Sequence, residues 1–348
     1  MKLTKSIIAR DGKLYLAWPD IVQTTSGRLV CACSACTSHC DRSFTQIRVM
    51  LSDDAGKTWT AMASVGKACG LKNGGYYYNN ISLSTLPDGR IAMACDRIED
   101  MDENTADSTI MLSFSSDEGK TWSEFHDTPA KGIVPDKLFV TSSGRWLLPC
   151  HFFDVNLGKL VQRLWFSDDC GTTWNGPVIV GRDASLNLCE ASIVQINGTL
   201  VCFMRENSSL GFPAYRSFST DNGLTWSGVH PFPLPGCHRP KIGCLSDGRY
   251  LISYRYSIGG STPFHTSMIA VTNADSILNP EYMACSCRLY HLDTDNSLLP
   301  DTGYTGWVER KGGHLFCVNY IRDDWPRGQI RGYDIEFQHP EQEGDLRL

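Results

Sequence analysis

Short apolar, β-rich segments run along the chain in pairs, and a glycine-centred turn separates the two members of each pair. Examples are the segments 193–196 and 199–203, on either side of Asn197-Gly198. Six such turns recur: Ser26-Gly27-Arg28, Asp88-Gly89-Arg90, Ser143-Gly144-Arg145, Asn197-Gly198-Thr199, Asp247-Gly248-Arg249 and Gly312-Gly313-His314. Their glycines lie 62, 55, 54, 50 and 65 residues apart. The pattern predicts six β-hairpins at regular spacing.

A second motif, Ser-x-Asp-x-Gly-x-Thr-Trp, occurs four times, at residues 52–59, 115–122, 167–174 and 219–226. Its aspartates are separated by 63, 52 and 52 residues, a period typical of propeller blades. Serine and aspartate side chains bond nearby backbone amides, and glycine permits a positive φ, so each copy predicts a turn between strands. Because the motif repeats, we expect it to build the fold and to have no catalytic role.

Six hairpins at blade spacing, with hardly any helical periodicity between them, predict an all-β protein, a six-bladed β-propeller with four Asp-box turns. One domain then covers residues 1–340, and residues 341–348 form a C-terminal tail. The last blade has a third strand at 329–335 but little chain left for a fourth. We expect the N-terminal segment 2–10 to supply that strand and close the ring.

The chain has 348 residues and a formal net charge of −6, which argues against nucleic acid as a partner because phosphate binding needs a basic surface. No apolar stretch is long enough to cross a membrane, and no signal peptide is visible at the N-terminus. We therefore expect a cytoplasmic protein with no membrane partner. Neither a nucleotide-binding glycine loop nor a metalloprotease motif occurs, so no cofactor is expected.

Fifteen cysteines are present, and six of them follow the turn register. Four positions after a turn glycine are Cys31, Cys202 and Cys317, and six positions after are Cys33, Cys95 and Cys150. Equal parity places them on the same face of equivalent strands, so we expect buried, reduced thiols that pack between blades. The remaining Cys36, His39 and Cys40 lack the usual second Cys-x2-Cys pair of a zinc site, and we expect no metal there.

Candidate chemistry appears where the innermost strands begin. Residues at equal distances before the turn glycines should ring a central channel. Nine positions upstream are Trp18, Asn80, Pro135, Cys189, Arg239 and Tyr304, and Asp136 and Glu190 stand eight positions upstream. At the exit of the second strand, Arg205 and Arg255 lie seven residues after their glycines and Arg97 lies eight after its own. Arginines aimed at one mouth would bind a carboxylate.

Four Asp-boxes on six blades, the segment Glu190-Ala191-Ser192-Ile193-Val194 before Met204-Arg205-Glu206-Asn207, and Gly303-Tyr304 at the last blade resemble the sialidase (neuraminidase) superfamily. The resemblance spans roughly residues 15–337. It implies that Tyr304 is the nucleophile, Glu190 its base and Arg205 a substrate-binding arginine. A looser match makes Asp41 the acid/base, with His39 its nearest substitute. The implied activity is exo-acting, retaining hydrolysis of a glycoside, with sialic acid or a related acidic sugar as substrate.

The chain departs from the family pattern at two of three arginines. Ala17-Trp18-Pro19-Asp20 stands where the family usually has Arg-Ile-Pro, and His265 stands where the third arginine is expected. We expect Arg239 and Arg255 to rebuild the clamp with Arg205, and Arg97, Trp18, Asn80, Asp136 and His265 to contribute to substrate binding. Three alternatives stay open: a neutral-sugar exo-glycosidase, a polysaccharide lyase using Tyr304 and a histidine, and a non-catalytic glycan-binding propeller.

Overall fold

Six antiparallel sheets, the predicted blades, surround a central axis. The computed structural model describes residues 1–61, 64–70, 75–99, 108–259 and 265–337, and the expected tail 341–348 lies outside these residues. The first blade contains β2 (Tyr15–Gln23), β3 (Leu29–Cys36), β4 (Thr45–Ser52), β5 (Thr60–Ala61) and β6 (Val65–Cys69). The second contains β7 (Tyr77–Thr85), β8 (Ile91–Ile98), β9 (Thr109–Ser115) and β10 (His126–Lys131). The third contains β11 (Phe139–Val140), β12 (Trp146–Asp154), β13 (Lys159–Ser167) and β14 (Asn175–Gly181).

The other three blades complete the ring. The fourth contains β15 (Leu188–Ile196), β16 (Thr199–Glu206), β17 (Pro213–Ser219) and β18 (His230–Pro235). The fifth contains β19 (Cys237–Cys244), β20 (Tyr250–Tyr256), β21 (Thr266–Thr272) and β22 (Arg288–Thr294). The sixth contains β23 (Thr302–Arg310), β24 (His314–Ile321), β25 (Gln329–Glu336) and β1 (Lys2–Ala9). The six-bladed propeller predicted from the turn spacing is thereby confirmed.

The N-terminal strand closes the last blade, as the sequence predicted. Strand β1 pairs antiparallel with β25, in a register that places Lys2 opposite Glu336 and Ile7 opposite Arg331. The first and last segments of the ring therefore share one sheet. This pairing covers an edge of β25 that would otherwise present free backbone groups.

The predicted hairpin turns join the first and second strands of the blades. In the fourth blade, Ile196 pairs with Thr199 around Asn197 and Gly198, whose φ angles are 49° and 86°. Two consecutive positive φ angles define the type I′ turn, whose twist matches that of the flanking strands. Asparagine and glycine tolerate this backbone, so the local sequence sets the register of the hairpin.

The four Asp-boxes form four equivalent turns. In the first, Oδ1 of Asp54 accepts hydrogen bonds from Ser52 Oγ and from the backbone amide of Thr58, each at 2.8 Å. The indole of Trp59 donates to the carbonyl of Gly56 at 3.1 Å, and the other three copies repeat these contacts. Bonds from the hydroxyl and amide of Thr58 lower the pKa of Asp54 to about 2. The boxes are structural turns.

The core lies between neighbouring blades. Val30 and Val49 of the first blade, for example, share a buried apolar cluster with Ile91 and Met93 of the second. The six cysteines of the turn register are free and fully buried in these layers, as predicted. Burial raises the pKa of thiols such as Cys95, which keeps them protonated.

Helical structure is sparse in the described residues and lies between β21 and β22. There α1 (Ala274–Leu278), whose N-cap Asn273 accepts a hydrogen bond from the amide of Ser276, precedes a 3₁₀ helix at Tyr282–Ala284. Within the described part of the chain, no helix is long and apolar enough to cross a membrane.

Candidate active site

The innermost region of every blade has one residue in the left-handed backbone region, with φ between 41° and 52°. These residues are Trp18, Asn80, Val134, Glu190, Arg239 and Tyr304. In five blades the pairing of the inner strand shifts at this point, as between Gly303 and Gly306. Each non-glycine residue held there costs about 1–3 kcal/mol, and such strain clusters at functional sites. Bulges of this kind change the direction in which the side chain at the bulge points.

The left-handed positions agree with the predicted ring in four blades and differ from it by one residue in two. In the third blade Val134 replaces the predicted Pro135, and in the fourth Glu190 occupies the position predicted for Cys189. Turn counting finds the strand but cannot find the bulge, because the bulge depends on where pairing with the second strand fails.

A cavity of about 510 Å³ opens at this end of the channel. Residues from several blades line it, among them Trp18, Arg42, Asn80, His151, Glu190, Arg205, Arg255 and Tyr304. Its formally charged lining, among the described residues, consists of three arginines and one carboxylate, histidines aside. The wall therefore presents an excess of positive charge to a ligand.

Tyr304, Glu190 and Arg205 meet in the cavity. The hydroxyl of Tyr304 donates a hydrogen bond to Oε1 of Glu190, while Nη1 of Arg205 donates to Oε2 at 2.9 Å. The same arginine nitrogen lies 3.5 Å from the Tyr304 oxygen. These contacts join the fourth and sixth blades, as the register of Glu190 and Tyr304 predicted.

The protonation states of this pair are set by burial and by the arginines. Burial raises the pKa of Tyr304, and the charge of Glu190 raises it further. Burial alone would also raise the pKa of Glu190, but the charges of Arg205 and Arg239 bring it well below its usual value. The phenol is therefore protonated and the carboxyl ionised at neutral pH, which is the arrangement in which Glu190 can accept the phenolic proton.

Gly303 permits the close packing around the nucleophile candidate. Its φ is 131°, and a Cβ at this position would lie 2.8 Å from Cδ of Arg255. The guanidinium of Arg255 lies 5.3 Å from the ring centre of Tyr304. A side chain at position 303 would displace Arg255 from the ring.

Two arginines of the cavity have no carboxylate within ion-pair distance among the described residues. Nη1 of Arg255 donates to the carbonyl of Thr302 at 3.3 Å, and Nη2 lies 3.2 Å from Nδ1 of His238. Arg42 donates to the carbonyl of Ser38 at 2.9 Å, and its guanidinium stacks 4.1 Å from the ring centre of Trp18. The buried Nε atoms of both arginines lack hydrogen-bond partners. Such groups remain available to an anionic ligand.

Arg239 lies beneath the cavity and is not part of its lining. Its Nη2 donates to Ser82 Oγ at 3.1 Å and to the carbonyl of Pro135 at 3.2 Å, and its guanidinium lies 5.3 Å from the Tyr304 ring centre. Its contribution to the site is electrostatic, since its charge helps to ionise Glu190. The sequence predicted that Arg239 contacts the substrate, whereas the structure places this side chain outside the lining of the cavity.

A buried ionic layer lies deeper in the channel and contains Asp136. The ammonium of Lys241 lies 3.0 Å from Asp20 and 3.1 Å from Asp136, and all three side chains are at least nine-tenths buried. The second oxygen of Asp136 accepts from the amide of Ile193 at 3.1 Å. Asp136 and Lys241 thus hold the inner strands together below the cavity rather than lining it.

The remaining predicted residues lie outside the lining. Asp41 is exposed, and its carboxylate accepts a hydrogen bond from the amide of Ser43 within its own loop. Arg97 faces outward to Asp127 of its own blade, at 3.1 Å. His265 precedes β21, and burial together with the charge of Arg255 lowers its pKa to about 4. The structure does not bring these three side chains to Tyr304.

Two histidines near the site are neutral hydrogen-bond acceptors. Nδ1 of His151 accepts from the amide of Glu190 at 3.4 Å, and burial lowers the pKa of His151 to about 4. Burial and the charges of Arg205 and Arg255 lower the pKa of His238 to about 2. A ring nitrogen that accepts a hydrogen bond needs a free lone pair, which agrees with the lowered pKa of both histidines.

Sequence reasoning missed Arg42, His151 and Lys241. Arg42 belongs to a loop outside the repeats. His151 lies seven residues after its turn glycine, on the same register as Arg205 and Arg255, so that register could have found it. Lys241 lies two residues after Arg239 on β19, and both side chains contact Oγ of Ser82. A search for charged residues two positions after each predicted ring residue would have found Lys241.

The Cys36, His39 and Cys40 segment forms no metal cluster within the described residues. The thiol of Cys36 is buried and donates to the carbonyl of Ser38 at 3.2 Å, whereas Cys40 is exposed. Nδ1 of His39 instead lies 2.5 Å from Oδ2 of Asp301.

The six blades, the Asp-boxes and the site at one channel end define a six-bladed β-propeller with BNR-type repeats. Residues 27–255 match the family model described as a BNR repeat-like domain. The chain belongs to this BNR repeat family. No curated protein sequence matches it significantly.

Solved structures extend the likeness to the whole fold. A protein of unknown function from Dyadobacter fermentans is 21% identical, with a TM-score of 0.78, and 97% of this chain and 99% of that one are covered. The NanB sialidase of Streptococcus pneumoniae is 15% identical with a TM-score of 0.69, covering 95% and 70%. An α-L-arabinofuranosidase of Fusarium graminearum is 13% identical with a TM-score of 0.68, covering 95% and 97%. At these identities the likeness establishes the fold alone.

Proposed function

We propose that the protein is an exo-acting, retaining glycoside hydrolase that releases a terminal acidic sugar, sialic acid or a close relative, from a glycan. The observation that carries this proposal is the contact of Tyr304 with Glu190 beside Arg205 in the cavity. A buried tyrosine whose hydroxyl donates to an ionised carboxylate is the arrangement of a nucleophile and its base.

Tyrosine suits a substrate that bears a carboxylate next to its anomeric carbon. A neutral phenol approaches such a centre without the repulsion that a carboxylate nucleophile would meet. As the Tyr304 oxygen bonds to the anomeric carbon, its proton passes to Glu190, and the glycosidic bond breaks on the opposite face. Sialidases with a tyrosine nucleophile are established exceptions to the two-carboxylate rule. Water then attacks the glycosyl-tyrosine, so that two inversions give net retention.

The positive lining supports an acidic substrate. Arg205 is engaged by Glu190, but Arg42 and Arg255 make hydrogen bonds only to neutral groups among the described residues. Trp18 stands where related propellers usually have an arginine, and the guanidinium of Arg42 lies over the Trp18 ring. We propose that Arg42, Arg255 and Arg205 together bind the substrate carboxylate, with Arg42 in the role of the missing first arginine.

The ionic layer supports exo action. A second cavity of about 760 Å³ opens at the other end of the channel, and none of its lining residues belongs to the first cavity. Asp20 and Lys241 line this second cavity and form ion pairs that include Asp136, and none of the three residues lines the first cavity. A cavity that is closed below accepts the end of a glycan more readily than its interior.

A panel of 4-methylumbelliferyl glycosides tests the proposal. We expect turnover of the α-sialoside and none of the α-L-arabinofuranoside, and Tyr304→Phe should abolish it. Tyr290→Phe, a substitution on the outer strand of the fifth blade, is the matched control and should leave the rate unchanged. Faster turnover of the neutral furanoside would contradict the proposed acidic substrate and indicate a neutral sugar. No turnover of any glycoside in the panel would overturn the proposal.

A further inference from the structure

A histidine and an aspartate form a pair on the wall of the cavity. His39 belongs to the loop between β3 and β4 and lines the cavity, and Asp301 immediately precedes β23. Their side chains meet at 2.5 Å, between Nδ1 of His39 and Oδ2 of Asp301. We propose that His39, oriented by Asp301, is the general acid and base at the leaving group. This inference rests on the proposed function, because it assigns a second catalytic residue to that reaction.

Asp301 is held in place from several sides. Its Oδ2 also accepts a hydrogen bond from the hydroxyl of Tyr15, its Oδ1 accepts from the hydroxyl of Tyr320 at 2.9 Å, and its backbone amide donates to Asp295 at 3.0 Å. Burial alone would raise the pKa of Asp301, but the hydrogen bonds from His39, Tyr15 and Tyr320 lower it. A carboxylate so fixed keeps its charge and determines the orientation of the imidazole.

Aromatic neighbours fix the plane of the imidazole. The ring of His39 makes an edge contact with Trp18 at 5.2 Å between centres, and it lies 6.4 Å from Tyr320. Because Nδ1 is engaged by Asp301, the other nitrogen, Nε2, is left for the cavity, and no partner of Nε2 is found in the described part of the chain. The side chain is 42% exposed, so a leaving group can reach it.

His39 and Tyr304 flank the same aromatic residue. Tyr320 lies 6.4 Å from each of them, measured between ring centres. A retaining mechanism needs a nucleophile and a proton donor around one anomeric carbon, with space for the sugar between them. Both side chains line the one cavity, whereas the carboxylate of Asp41 is engaged within its own exposed loop.

Other titratable groups of the cavity are less suited to the role. His151 accepts a hydrogen bond from the amide of Glu190, and burial lowers its pKa to about 4, so it rarely holds a second proton. Burial raises the pKa of the Cys189 thiol, which keeps that thiol protonated. Glu190 is engaged by Tyr304 and Arg205.

The proton balance of the step is as follows. Protonated His39 donates its Nε2 proton to the glycosidic oxygen while the carbon–oxygen bond to the leaving group breaks and the bond to Tyr304 forms. The tyrosine proton moves to Glu190. In the second step neutral His39 takes a proton from the attacking water, and Tyr304 leaves with the proton returned by Glu190. The negative charge of Asp301 stabilises the imidazolium in both steps.

The test is a leaving-group series: 4-nitrophenyl, phenyl and methyl α-glycosides of the sugar that the wild-type enzyme releases. Departure of nitrophenolate needs little protonation, whereas methanol needs a proton donor. His39→Gln should therefore keep most of its activity on the nitrophenyl glycoside and lose about 10²- to 10⁴-fold on the methyl glycoside. His291→Gln, at an exposed histidine on β22, is the matched control and should change neither rate.

Asp301→Asn tests the positioning role. It should lower kcat for the methyl glycoside with little change in KM, and leave the nitrophenyl rate nearly intact. A thermal unfolding curve of each variant separates this selective effect from loss of the fold, which would reduce all rates together. An equal loss across the series in folded His39→Gln overturns the inference, while loss of all turnover in Tyr304→Phe still supports the proposed function. A wild-type protein inactive on the whole series overturns both.

Discussion

The hydroxyl of Tyr304 donates a hydrogen bond to the carboxylate of Glu190, although 114 positions separate the two residues in the chain. Each residue occupies the left-handed bulge of its inner strand, with φ angles of 49° and 44°. The contact therefore depends on the same local distortion in two blades. Arg205 contacts both groups and completes the arrangement.

The stereochemistry of the reaction follows from this contact. If Tyr304 forms a covalent intermediate, the first sugar released has the anomeric configuration of the substrate. Proton NMR of the product in the first minutes of reaction measures this directly, before mutarotation mixes the anomers. Release of the inverted anomer would remove Tyr304 from the role of nucleophile.

Arg42→Gln should weaken recognition of the carboxylate. We expect kcat/KM for the acidic glycoside to fall about 10²-fold, equivalent to about 2.7 kcal/mol, because a desolvated charge-assisted contact is lost. A substrate analogue in which hydroxymethyl replaces the carboxylate should be affected little. Arg97→Gln is the matched control, since Arg97 pairs with Asp127 outside the cavity. Equal effects of both substitutions would contradict the proposal that Arg42 binds the substrate carboxylate.

Lys241→Met should destabilise the fold. The substitution removes the ammonium that lies 3.0 Å from Asp20 and 3.1 Å from Asp136, and removing one partner of a buried ion pair costs about 3–5 kcal/mol. Denaturant unfolding measures the difference, with Lys57→Met in the exposed first Asp-box as control, for which about 0.5 kcal/mol or less is expected. A Lys241→Met variant as stable as the control would show that the buried ionic layer contributes nothing to the free energy of unfolding.

Stability should fall on acidification between about pH 6.5 and pH 4. His151 has its pKa lowered to about 4 in the folded state, while an unfolded histidine titrates near 6.5. In this range the unfolded chain binds more protons, so the free energy of unfolding decreases as pH falls. The pKa of His238 is lowered to about 2 in the folded state, so this residue also reduces the free energy of unfolding as pH falls. His151→Asn should flatten the dependence of the unfolding free energy on pH, and an unchanged slope would contradict this origin.

Thiol alkylation should report occupancy of the cavity. Cys40 is exposed and lines it, whereas the exposed Cys170 and Cys244 lie in the third Asp-box and at the other channel end. A bound transition-state analogue of the released sugar should slow labelling of Cys40 alone, as measured by peptide mass spectrometry. The six cysteines of the turn register should react only after unfolding. Disulfides among them, or equal protection of Cys170, would contradict these expectations.

Much of the architecture was predictable because it is encoded locally. Turn glycines, Asp-boxes and apolar strands each act over a few residues, so their spacing specified six blades, and the short last blade indicated that residues 2–10 return to close it. The same counting placed Glu190, Arg205 and Tyr304 at one end of the channel, since equivalent positions of equivalent blades face the axis.

The tertiary structure alone decided which neighbours of these residues form the site. The inner-strand bulge selects Glu190 over Cys189, because pairing with the adjacent strand, and not sequence distance, determines where the backbone turns. Arg42 and the pair of His39 with Asp301 come from loops outside any repeat, and their contacts join distant blades. Asp136 and Arg239 share the register of the site yet lie below it, since Lys241, Ser82 and Pro135 hold them there. Repetition along the chain thus determines the ring, whereas side chains that meet across it determine the chemistry.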